Sequence, residues 1–349
     1  MKTRLVTITE IEKQGNLLEE AGKILQNGGL VAFPTETVYG LGGDALNPLS
    51  SQKIYAAKGR PSDNPLIVHV CNLRDVDFIV EEIPDSARKL AEKFWPGPLT
   101  MIMRKSEKVP YETTGGLDTV AVRMPDNPIA LALIKAAGGY VAAPSANLSG
   151  KPSPTLAKYV KEDMDGRIDM ILDGGGLGIG LESTIVDLTG EKPEILRPGY
   201  ITKEMLEEVL GEVETDVTIL SGDTKEAPKA PGMKYRHYAP SGELTIVSGE
   251  RKRVAEWINL HLEEASKQGK RTGVICTEET ESLYKADFVK NAGKREDEAK
   301  IARELYRILR EFDEENVEIM YSEAFDTAGM GQAIMNRLLK AAGHHVEYV

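Results

Sequence analysis

The chain has 349 residues, 55 acidic against 43 basic side chains, a formal net charge of -12 and 41% hydrophobic residues. That length suits about two domains, and the acidic balance removes the broad electrostatic footprint of a non-specific nucleic-acid binder, so an anionic ligand needs a locally basic site. Cys71 and Cys276 are far apart and form no C-x-x-C pair, which argues against a disulfide framework or a structural zinc and suits a reducing compartment.

The start, Met1 to Thr7, lacks the apolar core of a signal peptide, and no apolar run approaches membrane-spanning length. The expectation is a cytoplasmic protein with no membrane contact.

Leu17, Leu18, Ala21, Ile24 and Leu25 recur at helical spacing, and Asn27-Gly28-Gly29 stops that helix. Leu30 to Phe33 reads as a short buried strand delivering a polar loop, Pro34 to Leu41. Ser50 or Ser51 is the expected cap of a helix ending near Lys58, followed by a strand over 66–70. A helix opened by Ser86 ends at Trp95-Pro96-Gly97-Pro98, before a strand over 99–103. Val120-Ala121-Val122 is a strand, Pro128 suits a first helical turn, and Tyr140 to Ala143 is a strand emptying into Pro144 to Gly150. Strands over 169–172 and 184–188 flank a Gly-rich loop, Asp173 to Gly180, and a helix covers 202–210. The segment 221–240 reads as a linker. Beyond it strands over 244–247, 272–276 and 317–321 alternate with helices over 254–266, 298–312 and 328–342. Short strands alternating with helices give an α/β class throughout: a twisted mixed sheet first, then a small three-layer, Rossmann-like parallel unit.

Chemistry concentrates in the string Lys58-Gly59-Arg60-Pro61-Ser62-Asp63-Asn64-Pro65-Leu66-Ile67-Val68-His69. Prolines stiffen it, and a stiff turn carrying Lys, Arg and Asn suits phosphate or carboxylate, because order present beforehand is not lost on binding. The competing reading of Lys58 is a cation answering its helix dipole. Ser145, Asn147, Ser149 and Ser153 crowd one post-strand stretch, as a phosphate cradle or as turn caps. Arg123 and Arg197 end strands, where a guanidinium fork grips a carboxylate; the alternative for Arg123 is a salt bridge with Asp118 or Asp126. His69 is equally readable as a packed strand residue. Gly174 to Gly180 lacks G-x-G-x-x-G spacing, and no G-x-x-x-x-G-K-[ST], H-E-x-x-H or nucleophile elbow occurs. His344-His345 has no acidic or cysteine partner at ligand spacing. Local chemistry thus points to a phosphate-bearing nucleotide plus a small polar ligand.

Taken in order, the loop Pro34 to Leu41, the string Lys58 to His69, Ala121-Val122-Arg123-Met124-Pro125, Pro144 to Gly150, Glu182-Ser183-Thr184-Ile185-Val186-Asp187 and Arg197-Pro198-Gly199 resemble the threonylcarbamoyl-AMP synthase family, the YrdC-like proteins. The linker Ala230 to Pro240 and the unit after it look like the family's longer, two-domain form. The resemblance implies a YrdC-like catalytic domain over 8–203, a connecting segment and linker or lid over 204–240, and a C-terminal α/β domain over 241–349. It implies a nucleotidyltransferase that joins L-threonine, bicarbonate or CO2 and ATP into L-threonylcarbamoyl-AMP and diphosphate, feeding a separate transferase that modifies tRNA beside the anticodon.

By the same resemblance Thr35, Thr37, His69, Arg123, Ala143 and Ser183 surround threonine. Lys58, Arg60, Asn64, Thr119, Ser145, Asn147, Ser153, Arg197 and Tyr235 hold ATP. No catalytic acid or base is assigned; Lys58 and Arg60 contribute through charge, and magnesium is expected on the triphosphate rather than on protein side chains. Tyr235, Arg236, His237 and Tyr238 concentrate aromatic and cationic groups in the linker, which reads as a lid; the competing reading docks them on the second domain. A carbamoyltransferase-type relative would carry zinc-finger cysteines that this chain lacks. Weak RNA binding is a further reading, opposed by the acidic charge.

Overall fold

A computed structural model describes residues 2–217, 219, 230–231 and 238–349. It divides into two compact units: Met1–Ser149, Ser153–Gly178 and Glu182–Lys234 form the first, and Gly150–Pro152, Ile179–Leu181 and Tyr235–Val349 the second.

The first unit is built on β1 (Arg4–Thr7), β2 (Val31–Phe33), β3 (Gly40–Asp44), β4 (Ile67–His69), β5 (Leu99–Arg104), β6 (Thr119–Arg123), β7 (Val141–Ala142), β8 (Met170–Asp173), β9 (Thr184–Asp187), β10 (Glu194–Arg197) and β11 (Glu214–Thr215). They make one sheet in the order β1-β8-β2-β3-β7-β4-β6-β5-β9-β10-β11. Its pairing is mixed: β4 and β6 run parallel, β5 and β6 antiparallel, β5 and β9 parallel.

Local chemistry sets most boundaries. The helix Gly15–Gln26 buries Leu18, Ala21 and Leu25 on one face. The helix Pro48–Lys58 is capped by Asn47, whose Oδ1 accepts from the Leu49 amide at 3.0 Å. Ser50 and Ser51, the expected caps, are buried within that helix; Asn is a stronger cap here because proline follows it at the first helical position, where no N–H is needed. Asn127 and Pro128 repeat the device for the helix Pro128–Ala136. The loop expected through Leu41 gives way to β3, a central strand whose Gly-rich sequence masks it. A Cβ on Gly42 would lie 2.9 Å from Val141 Cγ1, and one on Gly43 would lie 3.0 Å from Ile54 Cδ1. Glycine is needed there because neighbours close over the backbone.

Alternation along the strands separates two surfaces. Val68, Met101, Val122 and Val186 point into a large core with Leu30, Ile54 and Leu90. Ile67, Ile102, Ala121 and Ile185 point the other way and form a small apolar patch with Leu196. The helix Lys203–Leu210, capped by Thr202, and β11, which pairs parallel with β10, are built into this unit.

In the second unit β12 (Glu243–Ser248), β13 (Thr272–Cys276), β14 (Phe288–Asn291), β15 (Ile319–Glu323) and β16 (Val346–Tyr348) form an all-parallel sheet ordered β14-β13-β15-β12-β16. The helices Arg251–Lys267, Glu298–Glu314 and Gly331–Ala341 accompany it. The expected class, a mixed-sheet α/β domain followed by a smaller parallel one, is the class observed. A cavity of about 610 Å³ opens beyond the carboxyl ends of these strands, lined by Ser248, Arg251, Arg295, Glu323 and Asp326 among others. Glu250 and Asp297 already cap two helix N-termini there with their own carboxylates, so the dipole ends that would draw an anion are filled.

Candidate functional site

Sheet register assembles the site. His69 pairs with Arg123 across β4 and β6, and Arg123 pairs with Thr100 across β6 and β5. Ser183 enters just before β9 and receives a hydroxyl contact from Thr100 at 2.7 Å. Residues remote in sequence therefore stand side by side on one row, next to the apolar patch of Ile67, Ile102, Ala121, Ile185 and Leu196. The patch shares their face because strand residues two apart point the same way.

Arg123 is the centre of the row and is buried. Its Nη1 donates to Thr37 Oγ1 at 3.0 Å and its Nε to the Gly97 carbonyl at 3.4 Å. Its Nη2 lies 2.6 Å from Glu36 Oε1. That contact is a charge pair rather than a hydrogen bond, since among the described residues neither Nη2 nor either Glu36 oxygen has a partner in hydrogen-bonding geometry. The cation's partner is Glu36, then, and not Asp118 or Asp126. Thr35 fixes the loop around it: its Oγ1 accepts from the amides of Thr37 at 3.1 Å and Val38 at 3.2 Å.

His69 is also buried, with Nδ1 3.1 Å from the Ile67 carbonyl and an edge-to-face contact with Phe33. Loss of solvation and the neighbouring Arg123 charge pull its pKa down to about 3, against the carbonyls of Ile67 and Val141 that favour the protonated ring. The imidazole is neutral at physiological pH.

A second group surrounds the Ser145 loop. Lys58 Nζ donates to the carbonyls of Ser145 and Asn147, both at 2.5 Å, and the Ser149 amide returns a bond to the Lys58 carbonyl. Ala146 N donates to Tyr39 O at 2.7 Å, and Ala143 N to Ile67 O at 2.8 Å, which locks this loop against the Thr35–Thr37 loop and β4. Lys58 and Arg60 are both buried, at 2% and 8% exposure. The reason is local. Arg60 folds over its own turn, donating to the Asn64 and Pro65 carbonyls, and a buried cation takes carbonyls where water is excluded. Asn64 Oδ1 is buried with no hydrogen-bond partner among the described residues.

Ser183 ties the row to Arg197. Arg197 donates from Nε to the Ser183 carbonyl at 3.1 Å and from Nη2 to Ser183 Oγ at 3.2 Å. Ser153 Oγ lies 2.5 Å from Glu182 Oε1. Thr119 begins β6 and faces the same side as Ala121 and Arg123, about 13 Å from the latter at an extended rise per residue. Tyr235 lies outside the described residues, as do Arg236 and His237. Tyr238 is described and belongs to the second unit, where its ring packs 5.2 Å from that of Tyr306 and 5.6 Å from the Arg337 guanidinium.

Sequence reasoning passed over Glu36, Thr100 and Glu182. Thr100, fully buried inside an apolar strand, carried a signal in that contrast; Glu36 carried none, because its partner is distant in the chain.

Comparison with known proteins places the chain in a family. A family model described as Telomere recombination, Sua5_yciO_yrdC, matches residues 23–199. A second, Threonylcarbamoyl-AMP synthase, C-terminal domain, matches 201–343. The threonylcarbamoyl-AMP synthase of Bacillus subtilis is 47% identical over 99% of both chains, and that of Pyrococcus abyssi 46% identical over 99% of both. The crystal structure of P. abyssi Sua5 complexed with L-threonine superposes with a TM-score of 0.93 at 44% identity, covering 100% of each chain. The chain belongs to the threonylcarbamoyl-AMP synthase family.

Proposed function

We propose that this chain is an L-threonylcarbamoyladenylate synthase, a nucleotidyltransferase that converts L-threonine, bicarbonate or CO2 and ATP into L-threonylcarbamoyl-AMP and diphosphate. The product serves threonylcarbamoyladenosine formation beside the tRNA anticodon, through a separate transferase. The observation that carries the reading is the buried Arg123 fork, in register with His69 and Thr100 and bonded to Thr37. Such a fork recognises a carboxylate bidentately, and hydroxyls beside it suit a small polar amino acid.

In this reading Thr35, Thr37, His69, Arg123, Ala143 and Ser183 take threonine. Lys58, Arg60, Asn64, Ser145, Asn147, Ser153 and Arg197 take the triphosphate and ribose, and Thr119 the far end of the nucleotide. The base would lie against the apolar patch between Arg123 and Thr119, where Ala230 packs with the strand residues. Attack of the threonine carbamate on the α-phosphorus needs positioning and charge stabilisation more than covalent help. Magnesium would arrive on the triphosphate, held by phosphate oxygens and water. Among the described residues no helix is long and apolar enough to cross a membrane, and we place the activity in the cytoplasm with tRNA modification.

The test is mass spectrometry of the adenylate formed from ATP, bicarbonate and a panel of amino acids. A threonine-dependent threonylcarbamoyl-AMP ion is expected. Absence of that ion, or an equal yield with amino acids lacking the hydroxyl, overturns the reading.

A further inference from the structure

We propose that Glu36 accepts the proton of the substrate ammonium, making it a catalytic residue of the carbamoylation step. The proposal rests on Arg123 as the partner of the threonine carboxylate. Glu36 is held between Thr35 and Thr37, whose hydroxyls are 2.9 Å apart and tie the loop down. Its side chain is 13% exposed and abuts Arg123 Nη2 at 2.6 Å, yet neither carboxylate oxygen receives a hydrogen bond among the described residues. A buried carboxylate without donors is costly and calls for a ligand that supplies them.

An α-amino acid supplies them by its covalent geometry. Its ammonium and carboxylate hang from one carbon, so a carboxylate on the outer nitrogens of Arg123 brings the ammonium to the Glu36 oxygens. Loading also changes Glu36. Arg123 is its counter-ion; once the substrate carboxylate takes Arg123, Glu36 shares that cation and faces a second anion. The nearest proton to its oxygens is then on the ammonium.

The step balances as written. The ammonium proton moves to Glu36, leaving a neutral amine and a carboxylic acid. The amine lone pair forms the N–C bond with bicarbonate, a C–O bond breaks, and the departing hydroxide leaves as water with the second N–H proton. Carbamate and protonated Glu36 result, and Glu36 then returns its proton to solvent. His69, the other titratable group beside Arg123, does not compete: burial and the Arg123 charge keep its ring a poor acceptor. Thr37 and Thr100 are uncharged, and Arg197, bonded to Ser183 beside Thr100, is a permanent cation.

The experiment measures kcat/KM for threonine in the wild type and in Glu36→Gln from neutral to alkaline pH at saturating ATP and bicarbonate, with binding of a non-hydrolysable ATP analogue as a check on folding. We expect a loss of about 100-fold near neutral pH, the scale of a lost general base. The ratio should narrow as the free amine accumulates at alkaline pH, with analogue binding unchanged. A variant within about threefold of wild type at every pH, or a loss that is constant with pH, overturns the proposal. If Glu36→Gln fails to bind the analogue, Glu36→Asp decides: a reduced rate that recovers with pH supports Glu36, and a wild-type profile overturns it. A wild type that makes no threonylcarbamoyl-AMP would instead remove the activity on which the proposal depends.

Discussion

Lys58 and Ser145 are joined across the site by a 2.5 Å bond from Nζ to a backbone carbonyl, and the same ammonium reaches the Asn147 carbonyl. The lysine thus shapes the loop that carries the Ser145 and Asn147 side chains. Lys58→Ala leaves the Ser145 and Asn147 carbonyls without this donor. Charge-assisted bonds contribute about 1.5–3 kcal/mol each, so chemical denaturation should show a loss of about 3–6 kcal/mol together with loss of product. Unchanged stability with abolished activity would mean that Lys58 acts on the ligand alone.

Arg123 and Glu36 are coupled through charge. Arg123→Ala should raise the threonine KM while leaving ATP affinity nearly unchanged. It also strands the Glu36 carboxylate in a poorly hydrated place, at about 3–5 kcal/mol. Adding Glu36→Gln removes the stranded charge, and the double variant should recover at least about half of that loss. Urea titration of the four proteins checks this; a double variant less stable than Arg123→Ala would locate the energy elsewhere.

His69 predicts an acid sensitivity with a definite sign. Its folded pKa is down at about 3, so between the ordinary histidine value near about 6.5 and that point the unfolded chain binds a proton that the folded one does not. Stability therefore falls as pH falls through this window, by about 2 kcal/mol at about pH 5 relative to neutral pH. Carboxylates add their own slope, and the difference between wild type and His69→Gln isolates this one. Equal slopes in the two proteins would contradict the burial assigned to the ring.

Much of this architecture was legible in the sequence, and the gaps have physical causes. Leu18, Ala21 and Leu25 recur at helical spacing, and Asn127-Pro128 is a local start signal. Such features depend on neighbours in sequence. β3 was hidden because Gly40, Gly42 and Gly43 read as a loop, while their purpose, close approach of Val141 and Ile54, is visible only in three dimensions. β1 was missed because an edge strand with mostly exposed residues has little apolar alternation. At the site, Arg123, His69 and Ser183 stood out by residue type beside stiff loops. Glu36 did not, because the pairing that gives it meaning joins the end of β6 to the loop after β2.

Gly199 offers a test of how tightly Ser183 must be held. A Cβ there would lie 2.5 Å from Thr184 N, 2.8 Å from Glu182 O and 2.8 Å from Ser183 C. All three are backbone atoms and cannot turn aside as a flexible side-chain end would. Gly199→Ala must therefore push the 182–184 segment, which carries the Ser183 hydroxyl shared by Thr100 and Arg197. Overpacking of this kind costs about 1–3 kcal/mol, and the displaced hydroxyl should raise the threonine KM more than that of ATP. Gly178 is the matched control: a Cβ there meets nothing within 4 Å, and its backbone is not left-handed. Gly178→Ala should stay within about 0.5 kcal/mol of wild type with unchanged kinetics. Calorimetry and steady-state kinetics on both variants decide the matter. A Gly199→Ala protein that melts and turns over like the Gly178→Ala control would show that the 182–184 segment yields freely, and that Ser183 needs no such fixed seat.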